Sequence, residues 1–239
     1  FFFKNNIFQS SVFLQIIYEY WLKKNKKDKI IFKFINVSTD EVYGHLKLKD
    51  KSFTEKSIPN PRNPYSASKS SFDFICNSYF TTFKFPVITT HCSNNFGPFQ
   101  KNEKLIPLVI TNALKNKSLP IYGNGKQIRD WLFVEDHCSA LMLILKKAKA
   151  GKKYNIGGNN EKQNIKLVYK ICEILDILIP KENNKSYNKL INFVDDRLGH
   201  DKRYSINSNK LKKDLNWSAK KNFDQNLRKT INWYINNFK

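Results

Sequence analysis

Apolar side chains recur with a helical period over residues 7–22, and the pattern stops at Trp21-Leu22, where a lysine-rich stretch predicted as a loop begins. Ile30 to Val37 is a mostly apolar run of strand length, suited to a strand buried on both faces of a parallel sheet. Residues 45–64 are polar and broken by Pro59, Pro61 and Pro64, which predicts a loop. Pro64 holds the chain extended ahead of a helix from Tyr65 to about Phe83, with Phe72, Ile75, Cys76 and Tyr79 on its apolar side. Pro86 to Cys92 reads as the next strand and ends in the polar turn Ser93-Asn94-Asn95-Phe96-Gly97-Pro98. In open α/β sheets, ligands bind at that end of a strand.

A helix is predicted from about Glu103 to Asn116, then a short strand over Leu119–Tyr122 and a Gly-Asn-Gly turn at 123–125. A further strand covers Ile128–Val134, and Glu135-Asp136 opens a helix running to about Ala148. Tyr154-Asn155-Ile156-Gly157-Gly158 reads as strand and turn, and helices are predicted over 164–177, 207–215 and 223–238. Strands alternating with helices give an α/β class with a parallel sheet.

Composition narrows the class. The 239 residues suffice for one large or two small domains, and 41% hydrophobic content supports a sizeable core. No apolar stretch reaches the roughly 18 residues needed to span a bilayer. Phe1-Phe2-Phe3 lacks the basic flank and cleavage site of a secretory leader. Cys76, Cys92, Cys138 and Cys172 are scattered, with neither metal-ligand spacing nor a disulfide ladder, so they predict reduced thiols, no metal and a cytoplasmic location. The net charge of +22 raises the question of nucleic acid. Yet lysines are spread along the whole chain in short clusters such as Lys23-Lys24-Asn25-Lys26-Lys27, and arginine is rare, which argues against that partner. A field helpful to an anionic substrate is what remains.

The chemistry concentrates in two runs. Tyr65-Ser66-Ala67-Ser68-Lys69 places a phenol and an ammonium four residues apart, on one helix face. An ammonium there stabilises the phenolate, bringing a tyrosine base closer to neutral pH than about 10. Upstream, Ser38-Thr39-Asp40-Glu41-Val42-Tyr43-Gly44 sets a hydroxyl, an acid and a base in a row after the apolar strand. Together they point to multistep proton chemistry. Arg129-Asp130 leaves two readings open, a phosphate contact or an internal salt bridge.

These runs, with Cys92-Ser93-Asn94-Asn95, Glu103-Lys104-Leu105-Ile106-Pro107, Gln127-Ile128-Arg129-Asp130-Trp131, Val134-Glu135-Asp136-His137 and Asp196-Arg197-Leu198-Gly199-His200, resemble the extended short-chain dehydrogenase/reductase superfamily. Within it they are most similar to the nucleotide-sugar 4,6-dehydratases, because Asp40 stands where related epimerases and decarboxylases usually carry a small residue. The resemblance implies a Rossmann-like parallel sheet with a smaller carboxy-terminal substrate-binding lobe. Residues 1–98 would belong to the NAD-binding domain and 99–239 mainly to the lobe, with about 128–158 returning to the first domain. It implies NAD as cofactor, dTDP-glucose as substrate and a homodimer paired through residues 7–22 and 65–83, with Phe13, Ile17, Phe72 and Phe80 as candidates for the outer face.

Residue roles follow from the same resemblance. Glu41 would take the C5 proton, Asp40 would protonate the departing C6 hydroxyl, and Tyr65 would take the 4-hydroxyl proton. Lys69 would lower the Tyr65 pKa and hold the nicotinamide ribose, Thr39 would bind O4, and Asn95 would touch the cofactor. Asn94, Lys104 and Leu105 would lie at the diphosphate, Pro120, Ile121 and Tyr122 at the base, and Arg129 and Arg197 on phosphate oxygens. Asn164, Asp196 and His200 complete the substrate set. Three departures stand out: Leu198 replaces the usual Pro, Gln9-Ser10 replace a Gly-Thr, and no Gly-x-x-Gly-x-x-Gly or Gly-x-Gly-x-x-Gly run occurs in these residues. The last leads to the expectation of a chain lacking the amino-terminal pyrophosphate cradle and, taken alone, catalytically inactive. The alternatives are another epimerase or dehydratase of the superfamily, or a non-catalytic nucleotide-binding remnant.

Overall fold

The computed structural model describes residues 1–182 and 185–237. A π-helical stretch, Phe3–Gln9, leads into α1 (Ser10–Leu22), followed by α2 (Lys26–Ile31) and β1 (Phe34–Thr39). A 3-10 turn, Asp40–Tyr43, and a loop lead to α3 (Pro64–Phe83), β2 (Val87–Cys92), β3 (Asn94–Phe96) and α4 (Leu105–Leu114). Then come β4 (Leu119–Tyr122), β5 (Ile128–Phe133), α5 (Val134–Lys147), β6 (Lys153–Ile156) and β7 (Glu161–Gln163). The chain continues through α6 (Asn164–Leu178), β8 (Ile191–Val194), α7 (Asn209–Leu215) and α8 (Phe223–Asn237).

The α/β class holds. β1, β2 and β6 form a parallel sheet in that order, with Phe34 opposite Val87 and Thr39 opposite Cys92. In-register pairing brings the C-terminal ends of β1 and β2 side by side. A second set joins β3 to β5 in parallel and β5 to β7 antiparallel, and β4 pairs β8 in parallel. The largest core cluster lies among α4, α6, α8, β4 and β5, around Ile106, Ile110, Leu167, Ile171, Leu227 and Ile231. Leu14, Phe72, Cys76, Phe85 and Val87 form another, between α1, α3 and the sheet. No helix among the described residues is long and apolar enough to cross a membrane.

Local signals fix α3 firmly. Asn63 caps it, accepting from the Ser66 backbone N–H at 2.8 Å, while the Ser66 hydroxyl reaches back to the Asn63 N–H at 3.3 Å. Pro64 occupies the first turn, where no N–H is needed, and Lys84 closes the helix in the left-handed conformation.

Three differences from the sequence expectations have physical causes. Residues 26–31 form a helix rather than a loop and strand start, because the Asn25 side chain caps it on the Asp28 N–H. Ile30 and Ile31 are accordingly 73% and 75% exposed, and the strand begins at Phe34. β3, β7 and β8 are only three or four residues long, too short to carry a legible period. The predicted helix at 207–215 starts at Asn209. The final helix was expected to reach 238, which, like the end of the 99–239 region, lies outside the described residues.

Candidate active site

Thr39 ends β1, and its hydroxyl accepts from the Glu41 N–H at 3.3 Å, opening the 3-10 turn. Gly44 closes that turn at φ +86°, where a Cβ would meet the Asn60 carbonyl oxygen at 2.6 Å, so the position requires glycine. Asp40 is only 3% exposed. Its Oδ1 receives the Thr39 hydroxyl at 3.4 Å, and its Oδ2 has no hydrogen-bond partner. Burial pushes its carboxyl well above the usual range, and the Glu41 and Asp130 carboxyls push further. Glu41, half-buried, is raised by burial but held back by a 3.3 Å hydrogen bond from the Asn63 amide and by the Arg129 charge. Two adjacent carboxyls thus sit in different environments.

Tyr65 and Lys69 stand on the first turns of α3. The expected lowering of Tyr65 is reversed. Burial first, then the nearby Glu41 carboxyl, Cys92 and Asp40, pushes its hydroxyl up to about 12. Lys69 donates instead to the Val37 carbonyl at 2.8 Å, using one of its three N–H groups. Burial and the Asp40 charge likewise push the Cys92 thiol up to about 12.

A cleft of about 360 Å³ opens beyond Glu41 and Asn63. It brings together Asn94, Asn95, Lys104, Leu105, Pro120, Tyr122, Arg129, Asn164, Arg197 and His200. Strand alternation corrects one expectation. Pro120 and Tyr122 line the cleft, whereas Ile121 points the other way and is buried in the core. Asp196 stands behind the cleft, accepting from His200 at 2.6 Å and from the Gln127 amide at 3.1 Å, and so fixes the imidazole. Thr39, Asp40, Tyr65 and Lys69 sit at the sheet end rather than on the cleft wall.

The two readings of Arg129-Asp130 are resolved against the salt bridge. Asp130 accepts from the backbone N–H groups of Gly158 and Asn160, at 2.8 and 2.7 Å. Arg129 donates to the carbonyls of Ile128 and Asp201 and lies on the Tyr204 ring. Its guanidinium lines the cleft without a carboxylate partner among the described residues. Arg197 stacks on Tyr122, 4.0 Å from the ring centre. The Asn94 and Asn164 side-chain carbonyls are buried without partners. Asn95 is committed within the protein, to the Ser93 carbonyl at 3.1 Å and the His137 ring at 3.0 Å.

Residues the sequence reading passed over also shape the site: Asn63, which holds Glu41, and Asp201 and Tyr204, which hold Arg129. The Asn-Pro pair before an apolar helix was a readable cap signal for Asn63. Nothing local marked the other two.

The fold defines a Rossmann-like α/β protein, with the cleft opening beyond the C-terminal ends of β1 and β2. A family profile described as GDP-mannose 4,6 dehydratase matches residues 1–230, and the chain belongs to that family. It is 48% identical to the dTDP-glucose 4,6-dehydratase of Shigella flexneri, over 99% of this chain and 67% of that protein. Among solved structures, the Bacillus anthracis dTDP-glucose 4,6-dehydratase in complex with NAD superposes with a TM-score of 0.85 and 44% identity, covering 98% of this chain and 69% of that one. The Streptomyces venezuelae dTDP-glucose 4,6-dehydratase with NAD and TYD bound gives a TM-score of 0.78 and 38% identity, covering 86% of this chain and 60% of that one. The chain thus spans about two thirds of the length of its curated relatives.

Proposed function

We propose that this protein is a dTDP-glucose 4,6-dehydratase, a lyase converting dTDP-glucose to dTDP-4-dehydro-6-deoxyglucose and water. The observation that carries the reading is the Asp40-Glu41 pair at the end of β1. Burial favours the protonated form of Asp40, the form an acid for the C6 hydroxyl requires. Glu41, nearer the cleft and tempered by Asn63 and Arg129, is the better base for the C5 proton. Tyr65 takes the 4-hydroxyl proton, and Thr39 orients O4.

The residues fit the nicotinamide end of NAD. Lys69 has two N–H groups beyond the one given to Val37, and it sits with Tyr65 at the strand ends. Tyr65 and Lys69 would hold the cofactor there, and Asn95 would join them by giving up its contact with the Ser93 carbonyl or the His137 ring. When bound, NAD supplies a hydride acceptor at C4 and a donor at C6, and it ends the cycle unchanged. Oxidation needs the phenol to lose its proton, so the push to about 12 must be relieved. Moving Lys69 from the Val37 carbonyl toward the phenol supplies that relief.

The cleft suits the nucleotide diphosphate. Arg129 and Arg197 supply fixed positive charge, Asn94, Lys104 and Leu105 flank the diphosphate, and Pro120 and Tyr122 flank the base. Asn164 and His200, the latter held by Asp196, complete the contacts. The unpaired Asn94 and Asn164 carbonyls are acceptors awaiting donors. The division into a cofactor-binding region, 1–98 with about 128–158, and a substrate lobe over the rest is part of the proposal, as are homodimerisation and a cytoplasmic location. For the dimer, the outer-face candidates change. Phe72 is buried, Phe80 packs against Gly151, and Ile17 packs on the inner cluster. The exposed large apolar positions are Val12, Phe13, Ile16, Tyr20 and Leu22 on α1 and Phe74 and Phe83 on α3. Assay of the enzyme with NAD and dTDP-glucose tests the reading: a 4-keto-6-deoxy product supports it, and a C4 epimer or stoichiometric NADH release refutes it.

A further inference from the structure

His91, next to last in β2, is 3% exposed, and the proposed reaction does not use it. Its Nε2 lies 3.0 Å from Asp73 Oδ2, and its Nδ1 lies 3.0 Å from the Tyr43 hydroxyl. Asp73 follows Tyr65 and Lys69 at spacing four along α3, on the same face. Tyr43 ends the 3-10 turn that begins with Asp40-Glu41. The imidazole therefore bridges the two segments that carry the proposed acid, bases and hydroxyl.

The proton inventory is determinate. Tyr43 has one hydroxyl proton, and its oxygen lies 2.9 Å from Asn155 Oδ1. Asn155 cannot be turned over, because its Nδ2 donates to the Phe53 carbonyl at 3.2 Å. An oxygen–oxygen contact of that length needs a proton between the atoms, so Tyr43 donates to Asn155. Its oxygen then accepts from His91, and Nδ1 carries a hydrogen. Asp73 already accepts the Asn36 amide at 2.7 Å and the Ser38 hydroxyl at 2.9 Å, both from β1. A carboxylate receiving donors in this way accepts from Nε2 as well.

We infer that His91 is a positioning residue: it stands as a buried imidazolium, both ring nitrogens donating, and locks the Tyr65–Lys69 helix against the Asp40–Glu41 turn. The inference rests on the proposed dehydratase reaction for its consequence in catalysis. Close to its partners Asp73 and Tyr43 stand Cys76 on α3, Asp40 on the turn, and Glu55, which accepts from the Asn155 N–H at 2.9 Å. Burial pushes the Cys76 thiol up to about 12 and raises the Tyr43 phenol, so both are neutral. Asp73 is the anion in hydrogen-bond contact with the ring. Removing the imidazole leaves Asp73 paired to β1 alone and Tyr43 without its donor. The turn and the helix then lose their shared register, while Arg129 and Arg197, on other segments, stay in place.

The test combines a spectrum with kinetics. Long-range proton–nitrogen NMR of the histidine-labelled protein at pH 7, with His91→Gln assigning the resonance among the four histidines, is expected to show two protonated ring nitrogens. One unprotonated, pyridine-type nitrogen overturns the inference. In the enzyme assay, His91→Leu should lower kcat about 100-fold with KM for dTDP-glucose within about 2-fold. Tyr43→Phe, which keeps the Asp73 pair, should lower kcat about 10-fold. If His91→Leu does not fold, Tyr43→Phe stands alone, and an unchanged kcat overturns the positioning role. A rise in KM matching the loss in kcat also overturns it. Wild-type protein that forms a C4 epimer or releases stoichiometric NADH refutes the dehydratase reading instead, and the spectrum still decides for His91.

Discussion

Beneath the Asp40–Glu41 turn, the side-chain polar groups of Asp73, His91, Tyr43 and Asn155 have protein partners. In the site above, Asn94, Asn164 and Asp40 each keep a buried oxygen with none. An unsatisfied buried polar atom costs about 1–3 kcal/mol, so the two regions are built to different ends. The lower one is complete in the protein alone and holds elements in register. The upper one carries unpartnered polar atoms and the charge of Arg129, which a ligand can satisfy. Support and binding are thus separated in space, and substitutions in the two regions should have separable signatures.

The largest effect should come where the regions meet. Tyr65→Phe removes the proposed proton acceptor for the 4-hydroxyl and should lower kcat about 10³-fold, with no transient NADH absorbance in a rapid-mixing experiment. Glu41→Gln should slow elimination about 10²-fold yet keep that transient, because it acts on a different proton. Equal loss of the transient in both variants would erase the proposed division of roles. In the cleft itself, Arg197→Ala should raise KM for dTDP-glucose about 10-fold with kcat little changed, reflecting one lost charge-assisted contact in steady-state kinetics.

The smallest effect concerns stability. Asp40 titrates higher in the folded chain than in the unfolded one, so the folded state holds more protons and loses stability as pH rises above the ordinary carboxylate range. Asp40→Asn removes that cost. Its melting temperature should exceed the wild type's by a margin that grows from about pH 4 to about pH 8 while activity is lost. A margin that shrinks with rising pH would show that Asp40 is stabilised as a carboxylate.

Much of this was legible in the sequence where signals were local. Pro64 and the apolar face after it located α3, and the apolar run ending at Val37 placed the end of β1 within two residues of Thr39. Signals failed where only three-dimensional context decides. Ile30 and Ile31 look like strand residues but lie on a short capped helix in solvent. Ile121 sits between two cleft residues in sequence yet faces the core. Lys69 is well spaced to tune Tyr65, but it donates to the Val37 carbonyl, and burial with the nearby carboxyls drives the phenol the other way. His91 carried no motif at all, since its partners come from positions 18 and 48 residues away.

The most direct measurement is product analysis after turnover of dTDP-glucose with catalytic NAD in deuterium oxide. The account predicts dTDP-4-dehydro-6-deoxyglucose with one solvent deuterium at C5, and NAD recovered in full. A product that retains its C6 hydroxyl, or NADH formed in proportion to product, would contradict it.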